Sequence, residues 1–421
     1  MKVIIDQTTY TDIKAISFAP QTDLTGDSVP INEFQVDIIT DDEISIGQYA
    51  MLYDDLDNLW ANYWITYAEH INRETLRVMA KSPVAILSQR RLPAEYWSSK
   101  SVTAAISELM GTMPYTLDSS FANETLTGFV PSQESRARLQ WICYVIGAYV
   151  KTFFNDRIEI IPIDTTETLI PIGKTFWKPT ITYNDYITAI TATAYSFTPG
   201  TPTVTDTYVE DSNGNYYIVS AQKVTLTNPD VPSAAPEKTI TVDGLYLINN
   251  DNVSGILTHL SDLYFKRTEV DLDVINNAEY QPGEKVIVYA DEDKLMTGFI
   301  ESCSFIFGTQ ARASVHMVPT EGKEAAPLTI TYVYQTMQLG KEVYLFPVGY
   351  TYTITNPYID LTLSQYRYVY RPLTENATGT IVDGENADTE EYDIALEYHN
   401  GILRIVSVDE VSENEGVVTI S

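Results

Sequence analysis

The chain has 421 residues, which at roughly 150 per domain predicts two to four domains and a core that needs neither disulfides nor metals. Its 26 Lys and Arg against 57 Asp and Glu give a formal net charge of -31, which repels phosphate backbones and excludes a protein that wraps nucleic acid. With 44% hydrophobic and 20% charged residues the composition is that of a folded chain, and 30 Tyr against 13 Phe favours strands.

The two cysteines, Cys143 and Cys303, lie far apart in apolar runs, which excludes a disulfide framework and a cysteine zinc site. The N-terminus reaches Asp6 after three apolar residues, too early for a signal peptide, and no apolar run approaches the length of a membrane-spanning helix. These features predict a soluble protein made in a reducing cytoplasm.

Residues 1–90 predict a first small β-barrel, because short alternating segments such as Phe34, Val36 and Ile38 are separated by turns such as the one at Gly47. Residues 91–180 predict a helix-containing insertion. Its first helix starts after Ser99 or Ser101 and ends at Gly111. A second helix between residues 132 and 150 carries the stripe Leu139, Ile142, Cys143, Ile146 and Tyr149.

Residues 181–250 predict a β-rich insertion with Pro-rich loops and a turn at residues 211–214. Residues 251–320 predict a third helix, capped by Asn252 and ending at Lys266 and Arg267, followed by a second small β-barrel. The segment from Pro319 to Pro327 has the composition of a linker. Residues 328–421 predict an all-β, sandwich-like module with Tyr-rich strands, an acidic stretch at 383–388 and a hairpin turn at residues 400–401.

An internal repeat is the strongest signal in the sequence. Residues 34–38, 46–54, 63–68 and 75–80 match residues 270–274, 282–289, 298–303 and 311–317 in order and spacing. Each set places a glycine turn before an alternating strand and then two further paired strands, a meander that can curl into a small barrel. Any two β-meanders share these features, which is the alternative to a duplication. A duplicated barrel has a geometric use, since three copies present six similar barrels to a sixfold partner.

This layout resembles the tail hub proteins of phages and contractile injection systems, also called late control or baseplate hub proteins, over residues 1–320. The order of barrel, insertion, helix and second barrel, opening at Pro282-Gly283-Glu284 and closing through Gly298-Phe299-Ile300, carries the resemblance. It implies a structural, non-enzymatic virion protein that is assembled in the bacterial host cytoplasm into the tail. The implied form is a homotrimeric ring that adapts a sixfold tail tube to a threefold tip.

The resemblance also implies partners: the tail tube and distal tail proteins above, a spike or fibre below, and DNA that passes without being bound. Members of the family often carry a C-terminal extension, sometimes a peptidoglycan hydrolase, but residues 328–421 show no hydrolase signature. The Tyr-rich module adds a cell-surface glycan as a further candidate partner.

Motifs for chemistry are weak. None of His70, His259, His316 and His399 has a second His or Cys at metal-ligand spacing, and no nucleophile elbow or phosphate loop occurs. We therefore predict no catalytic residue, no cofactor and no metal, and we interpret both cysteines as core residues.

Several clusters leave alternatives open. Acidic groups at residues 54–55, 291–293 and 390–393 are candidates for a glycosidase pair, or are solvated loops. The groups Asp271-Leu272-Asp273 and Asp41-Asp42-Glu43 are candidates for calcium, although neither fits an EF-hand loop. The tyrosine rows 332/334 and 366/368/370 form a sugar-stacking platform, core packing or a cross-strand ladder. The competing functions are therefore a glycan-binding virion adhesin and a tail-associated glycoside hydrolase or peptidase.

Overall fold

The computed structural model describes most of the chain from Met1 to Ile420. Its gaps are residues 171–173, 177–178, 267, 276–279, 292–293, 307–311, 325–327, 340–341, 355–361, 365–376, 384–388, 400–401, 409–415 and 421. Side chains are described up to residue 318, apart from these gaps and residues 290–291, 294, 306 and 312. The chain divides into two compact units. The first contains Met1–Asp291 and Leu295–Lys323, and the second contains Glu292–Lys294 and Glu324–Ser421.

The described residues of the first unit form four α-helices, one short 3-10 helix and most of the strands. The helices are α1 (Val84–Leu87), α2 (Val102–Met110), α3 (Ser135–Ile146) and α4 (Val253–Tyr264), and the 3-10 helix is Ser119–Phe121. The strands are β1 (Lys2–Ile5), β2 (Thr8–Tyr10), β3 (Ile13–Phe18), β4 (Glu33–Ile39), β5 (Tyr49–Tyr53), β6 (Leu59–Asn72), β7 (Thr75–Lys81), β8 (Arg91–Leu92), β9 (Glu95–Ser101), β10 (Tyr115–Leu117), β11 (Thr125–Val130), β12 (Gln133–Glu134), β13 (Ala148–Lys151), β14 (Ile158–Pro162), β15 (Glu167–Leu169), β16 (Thr180–Tyr183), β17 (Ala189–Pro199), β18 (Tyr208–Glu210), β19 (Tyr216–Thr227), β20 (Thr239–Val242), β21 (Thr268–Ile275), β22 (Lys285–Asp291), β23 (Lys294–Ile306) and β24 (Arg312–Glu324).

One 13-stranded sheet contains both predicted barrel segments. Its order is β16-β21-β24-β23-β3-β4-β7-β6-β5-β1-β2, with β22 paired to β23 and β15 paired to β22. The two segments therefore share a continuous sheet, joined where β23 pairs with β3. They also share one hydrophobic core, in which Val36 and Val78 of the first segment and Val270 and Val315 of the second are fully or almost fully buried.

The insertion after β7 folds around its own core. The Ser101 hydroxyl accepts a hydrogen bond from the Ala104 amide at the start of α2, which confirms Ser101 as the cap. The core of the insertion includes the buried side chains of Leu139 and Ile142 of α3. The predicted extension of this second helix to Tyr149 is wrong, because Gly147 adopts a left-handed conformation that ends α3 and starts β13.

A four-stranded sheet of order β18-β19-β17-β20 follows, and α4 packs against it through Leu257 and Leu260. The predicted cap of α4 is only half right. Asn252 occupies the N-cap position, but its side chain bonds the Asn249 amide and the Leu247 carbonyl instead of the helix. Lys266 lies just beyond the end of α4, and Arg267 lies outside the described residues.

In the second unit every described element is a β-strand. Its strands are β25 (Leu328–Leu339), β26 (Glu342–Ile354), β27 (Thr362–Ser364), β28 (Ala377–Asp383), β29 (Thr389–His399), β30 (Ile402–Val408) and β31 (Gly416–Ile420). They form one antiparallel sheet of order β27-β26-β25-β31-β28-β29-β30. Strands β29 and β30 pair with His399 opposite Ile402. The predicted turn between them, residues 384–388 of the acidic stretch, and the tyrosine row 366/368/370 lie outside the described residues.

These features confirm a β-rich α+β fold with several domains, while the five domain boundaries stay predictions. Two local details differ from the sequence-based expectations. The first part of the predicted linker, up to Glu324, is strand, because β24 continues beyond Pro319 alongside β21. Strand β16, at the start of the predicted β-rich insertion, belongs to the large sheet instead. Among the described residues no helix is long and apolar enough to cross a membrane.

Candidate assembly surface

The two glycine turns of the internal repeat have the same conformation and the same hydrogen bonds. Gly47 has φ 97° and Gly283 has φ 96°, a region that favours glycine. The Gly47 amide donates to the Ile65 carbonyl, and the Gly283 amide donates to the Ile300 carbonyl. In return the Ile65 amide donates to the Gln48 backbone carbonyl, and the Ile300 amide donates to the Glu284 backbone carbonyl. Ile65 and Ile300 therefore occupy equivalent positions.

Strand order repeats as well. In the first repeat β4 pairs with β7, β7 with β6, and β6 with β5. In the second repeat β21 pairs with β24, β24 with β23, and β23 with β22. Strand β3 pairs with β4 as β16 pairs with β21, so these two flanking strands are also equivalent. The order matches element by element, as expected for a duplication.

Polar contacts on the solvent side of the sheet follow the same register. Asp37 faces Arg77 across β4 and β7, and both guanidinium contacts are 2.8 Å long. At the equivalent place Asp273 faces Ser314, whose hydroxyl donates to the carboxylate at 2.6 Å. A carboxylate bonded across the first strand pair is thus common to both repeats.

The junction between the repeats is a strand pairing. Phe305 of β23 lies opposite Phe18 of β3. The pairing continues past the end of β3, where Gln21 bridges Ser302 and the Thr22 amide donates to the Glu301 carbonyl. The chain that follows β3 therefore lies along one side of β23, next to the part of that strand that comes after Ile300, the residue bonded to the Gly283 turn.

Aromatic side chains fill the core beneath this junction. Phe18 and Phe305 stack with ring centroids 5.9 Å apart, and Trp60 meets Phe305 edge-on at 4.6 Å. Phe154, from the insertion, lies 5.0 Å from Trp60. Aromatic burial of this kind contributes more stabilisation than any other side-chain class, so the two repeats and the insertion form one packed body.

A groove of about 540 Å³ lies beside the junction on the solvent side of the second repeat. It is lined by Ala19, Gln21, Thr180, Asp271, Leu272, Asp273, Ser302, Cys303, Ser304, Ser314, Val315 and His316. The Nδ1 of His316 lies 2.7 Å from the Asp271 carboxylate, and its Nε2 lies 3.7 Å from Glu301. Burial raises the pKa of Glu301, while nearby His316 opposes the shift and Asp23 adds to it. The described lining therefore combines carboxylates and hydroxyls with one histidine.

The three histidines whose side chains are described have separate surroundings. His70 is exposed near the end of β6, 3.2 Å from the Asp42 carbonyl. His259 on α4 contacts the Leu24 carbonyl, and burial lowers its pKa. His316 lies in the groove, and the side chain of His399 lies outside the described residues.

The carboxylate and cysteine candidates also separate. Asp271 and Asp273 share the groove, whereas Asp41 to Glu43 lie in a loop after β4. Asp54 organises a hairpin loop, and residues 292–293 and the side chains of 390–393 lie outside the described residues. Cys143 and Cys303 are buried, and burial raises the pKa of Cys143 to about 12. No group of three or more His, Cys, Asp or Glu suited to a metal occurs in the described part of the chain.

Sequence reasoning missed the junction. Its only local signal is an aromatic residue at the end of a strand, Phe18, and no pattern says that it pairs with Phe305. The predicted repeat was the signal that located the surrounding strands.

Known structures share this architecture. A tail protein from Neisseria meningitidis MC58 superposes with a TM-score of 0.55 at 13% identity, covering 75% of this chain and 95% of that one. Prophage tail protein gp18 from Listeria monocytogenes EGD-e gives 0.52 at 12% identity, covering 76% and 94%. The 43 kDa tail protein of prophage MuSo2 from Shewanella oneidensis gives 0.51 at 9% identity, covering 76% and 97%.

The chain has the fold of phage tail proteins. The resemblance predicted from the order of elements is thereby confirmed. No protein-family model and no curated protein sequence matches the chain, so the likeness lies in three-dimensional structure. Identity this low is expected where a fold is specified by burial pattern and not by particular residues.

Proposed function

We propose that this protein is a structural hub of a phage or phage-like tail, in which three chains form a ring between a sixfold tube and a threefold tip. The observation that supports it is the duplication. Two repeats share strand order, turn conformation and turn hydrogen bonds, so three chains supply six similar units. The role is architectural and needs no catalytic residue.

The fold of three tail proteins supports a place in the virion tail, with assembly in the bacterial host cytoplasm. The partners in this proposal are tube and distal tail proteins on one side and a spike or fibre on the other. DNA passes through the ring without binding, since a net charge of -31 disfavours phosphate contacts.

A cell-surface glycan is a second proposed partner, through the C-terminal unit. Its sheet places Tyr332 opposite Tyr350, and Ile330 opposite Tyr352. Aromatic residues that face each other across a sheet pair with one another, and a tyrosine ring offers an apolar face on which a sugar can stack. Binding of the full chain to host cell-wall glycan, lost on Tyr332→Ala with Tyr350→Ala, would support this contact.

Multi-angle light scattering followed by negative-stain imaging tests the hub. We expect a mass three times that of the chain and rings with a central hole. A stable dimer would contradict the proposal, because a twofold assembly cannot present six equivalent units around one axis.

A further inference from the structure

The two repeats differ in one respect that matters for assembly. In the second repeat the segment of β23 beyond the glycine turn, Glu301–Ile306, is covered by the chain from residue 17 to 22. In the first repeat β5 pairs with β6 only as far as Trp64. Beyond Ile65, no strand of the described chain pairs with the side of β6 opposite β7.

The flanking strands β3 and β16 also differ, in the number of strands with which each one pairs. Strand β3 is paired on both sides, with β4 and β23. Its equivalent, β16, pairs only with β21 among the described strands and forms one edge of the sheet. A strand at the edge of a sheet can pair with a strand of another chain. Within the described part of the chain, β16 and residues 66–71 of β6 therefore each have one side along which no second strand pairs.

We propose that β16 of one copy pairs antiparallel with residues 66–71 of β6 in the next copy, repeating between chains the β3–β23 junction within the chain. This inference rests on the proposed ring. Three such contacts, alternating with the three internal junctions, close the ring with six similar joints.

The internal junction also gives the register. Counting along the strands from the equivalent Ile65 and Ile300, Phe305 corresponds to His70 and residue 306 to Ile71. Residues of β3 and β16 correspond when they pair with equivalent residues of β4 and β21. On this basis Phe18 corresponds to Ile181 and Ser17 to Thr180. Since Ser17 lies opposite residue 306, Thr180 is expected opposite Ile71 of the neighbour, and Thr182 opposite Glu69.

Exposed apolar side chains lie at both surfaces. On β16 Tyr183 is 55% exposed, and at the end of β21, the adjacent strand, Ile275 is 39% exposed. On the uncovered part of β6, Ile71 is 44% and Tyr67 38% exposed. The β3–β23 junction shows that two edges of this kind fit each other. Exposed apolar residues at both edges are what an interface between copies requires.

Disulfide cross-linking of the full chain tests the pairing. A chain with Thr180→Cys and Ile71→Cys should form covalent dimers and trimers on mild oxidation, because facing strand residues meet disulfide geometry. A second pair, Thr182→Cys with Glu69→Cys, tests the same register. The native cysteines are buried, and each single variant should remain uncross-linked.

The matched control places the first cysteine at Thr9→Cys on β2, the opposite edge of the same sheet, with Ile71→Cys retained. We expect the Thr180 pair to cross-link about tenfold faster or more, as for groups held at high effective concentration. Trimers by light scattering without cross-links at either pair, or with faster cross-linking from Thr9, would overturn this pairing and leave the ring standing. A stable dimer would overturn both.

Discussion

At the scale of single residues, two hairpin loops use one aspartate in the same way. Asp54 Oδ1 accepts hydrogen bonds from the backbone amides of Leu56 and Asn58, both at 2.8 Å. Its Oδ2 accepts hydrogen bonds from the side-chain Nδ2 of Asn58 at 2.8 Å and from Trp60 Nε1 at 3.3 Å. The loop after β18 repeats the pattern, with Asp211 accepting from residues 213, 215 and 217. The spacing Asp-x-x-x-Asn-x-aromatic marks both loops, so the acidic residue serves the turn.

Burial opposes ionisation of Asp54, but the hydrogen bonds from Asn58 and Trp60 outweigh it and lower its pKa. The folded-state pKa therefore lies below the unfolded value of about 3.9, and the stabilisation is complete above that pH and lost as the pH falls through the folded value. We expect Asp54→Asn to destabilise the protein by about 1 kcal/mol at pH 7. The difference should shrink below about pH 4.

Urea midpoints followed by tryptophan fluorescence at pH 7, 4 and 3 measure this effect. Asp41→Asn, a change at an exposed loop carboxylate, is the control and should shift the midpoint little at any pH. A pH-independent effect of Asp54→Asn would show that its charge is not what holds the loop.

At the scale of elements, equivalent turns have acquired different surroundings. The turn at Gly47 is flanked by exposed Ile46, whereas Pro282 is buried and Gly283 is buried against Tyr149 of the insertion. A β-carbon on Gly47 would meet only the Trp64 ring at 3.5 Å. One on Gly283 would lie 2.4 Å from the Tyr149 hydroxyl. Tyr149 of the insertion therefore packs on the second repeat in the space that a side chain at residue 283 would occupy.

We expect Gly47→Ala to cost about 1 kcal/mol, because an L residue is strained at this positive φ. Gly283→Ala should cost about 1–3 kcal/mol more, because the tyrosine ring must move in a packed core. Thermal unfolding compares the two variants.

The double variant Gly283→Ala with Tyr149→Leu isolates the clash. If the clash is the cause, part of the loss is recovered relative to the sum of the single variants. Additive losses would mean that backbone strain alone explains Gly283.

At the scale of the whole molecule, charge sets how the protein meets nucleic acid. The groove beside the junction contains Asp271 and Asp273, and Glu301 lies at its edge against His316. Such a surface repels a polyanion, as does the net charge of -31. If the chain forms the proposed ring, we expect its inner wall to be acidic or neutral, with the few cations at contacts between subunits.

Mobility shift of duplex DNA at low salt tests this expectation, since low salt strengthens any phosphate contact. We expect no shift at micromolar protein. Tight, salt-sensitive binding would contradict both the charge argument and the proposal that DNA passes unbound.

The sequence alone determined the repeat, the three longer helices and the all-β C-terminal unit. These features depend on local periodicity and on turn residues such as Gly47, Gly283 and Gly111, which report the backbone directly. Only the tertiary structure decided that the repeats share one sheet through Phe18 and Phe305. It also decided which strands flank each repeat in the described part of the chain, because pairing between strands distant in sequence depends on packing that no local pattern encodes.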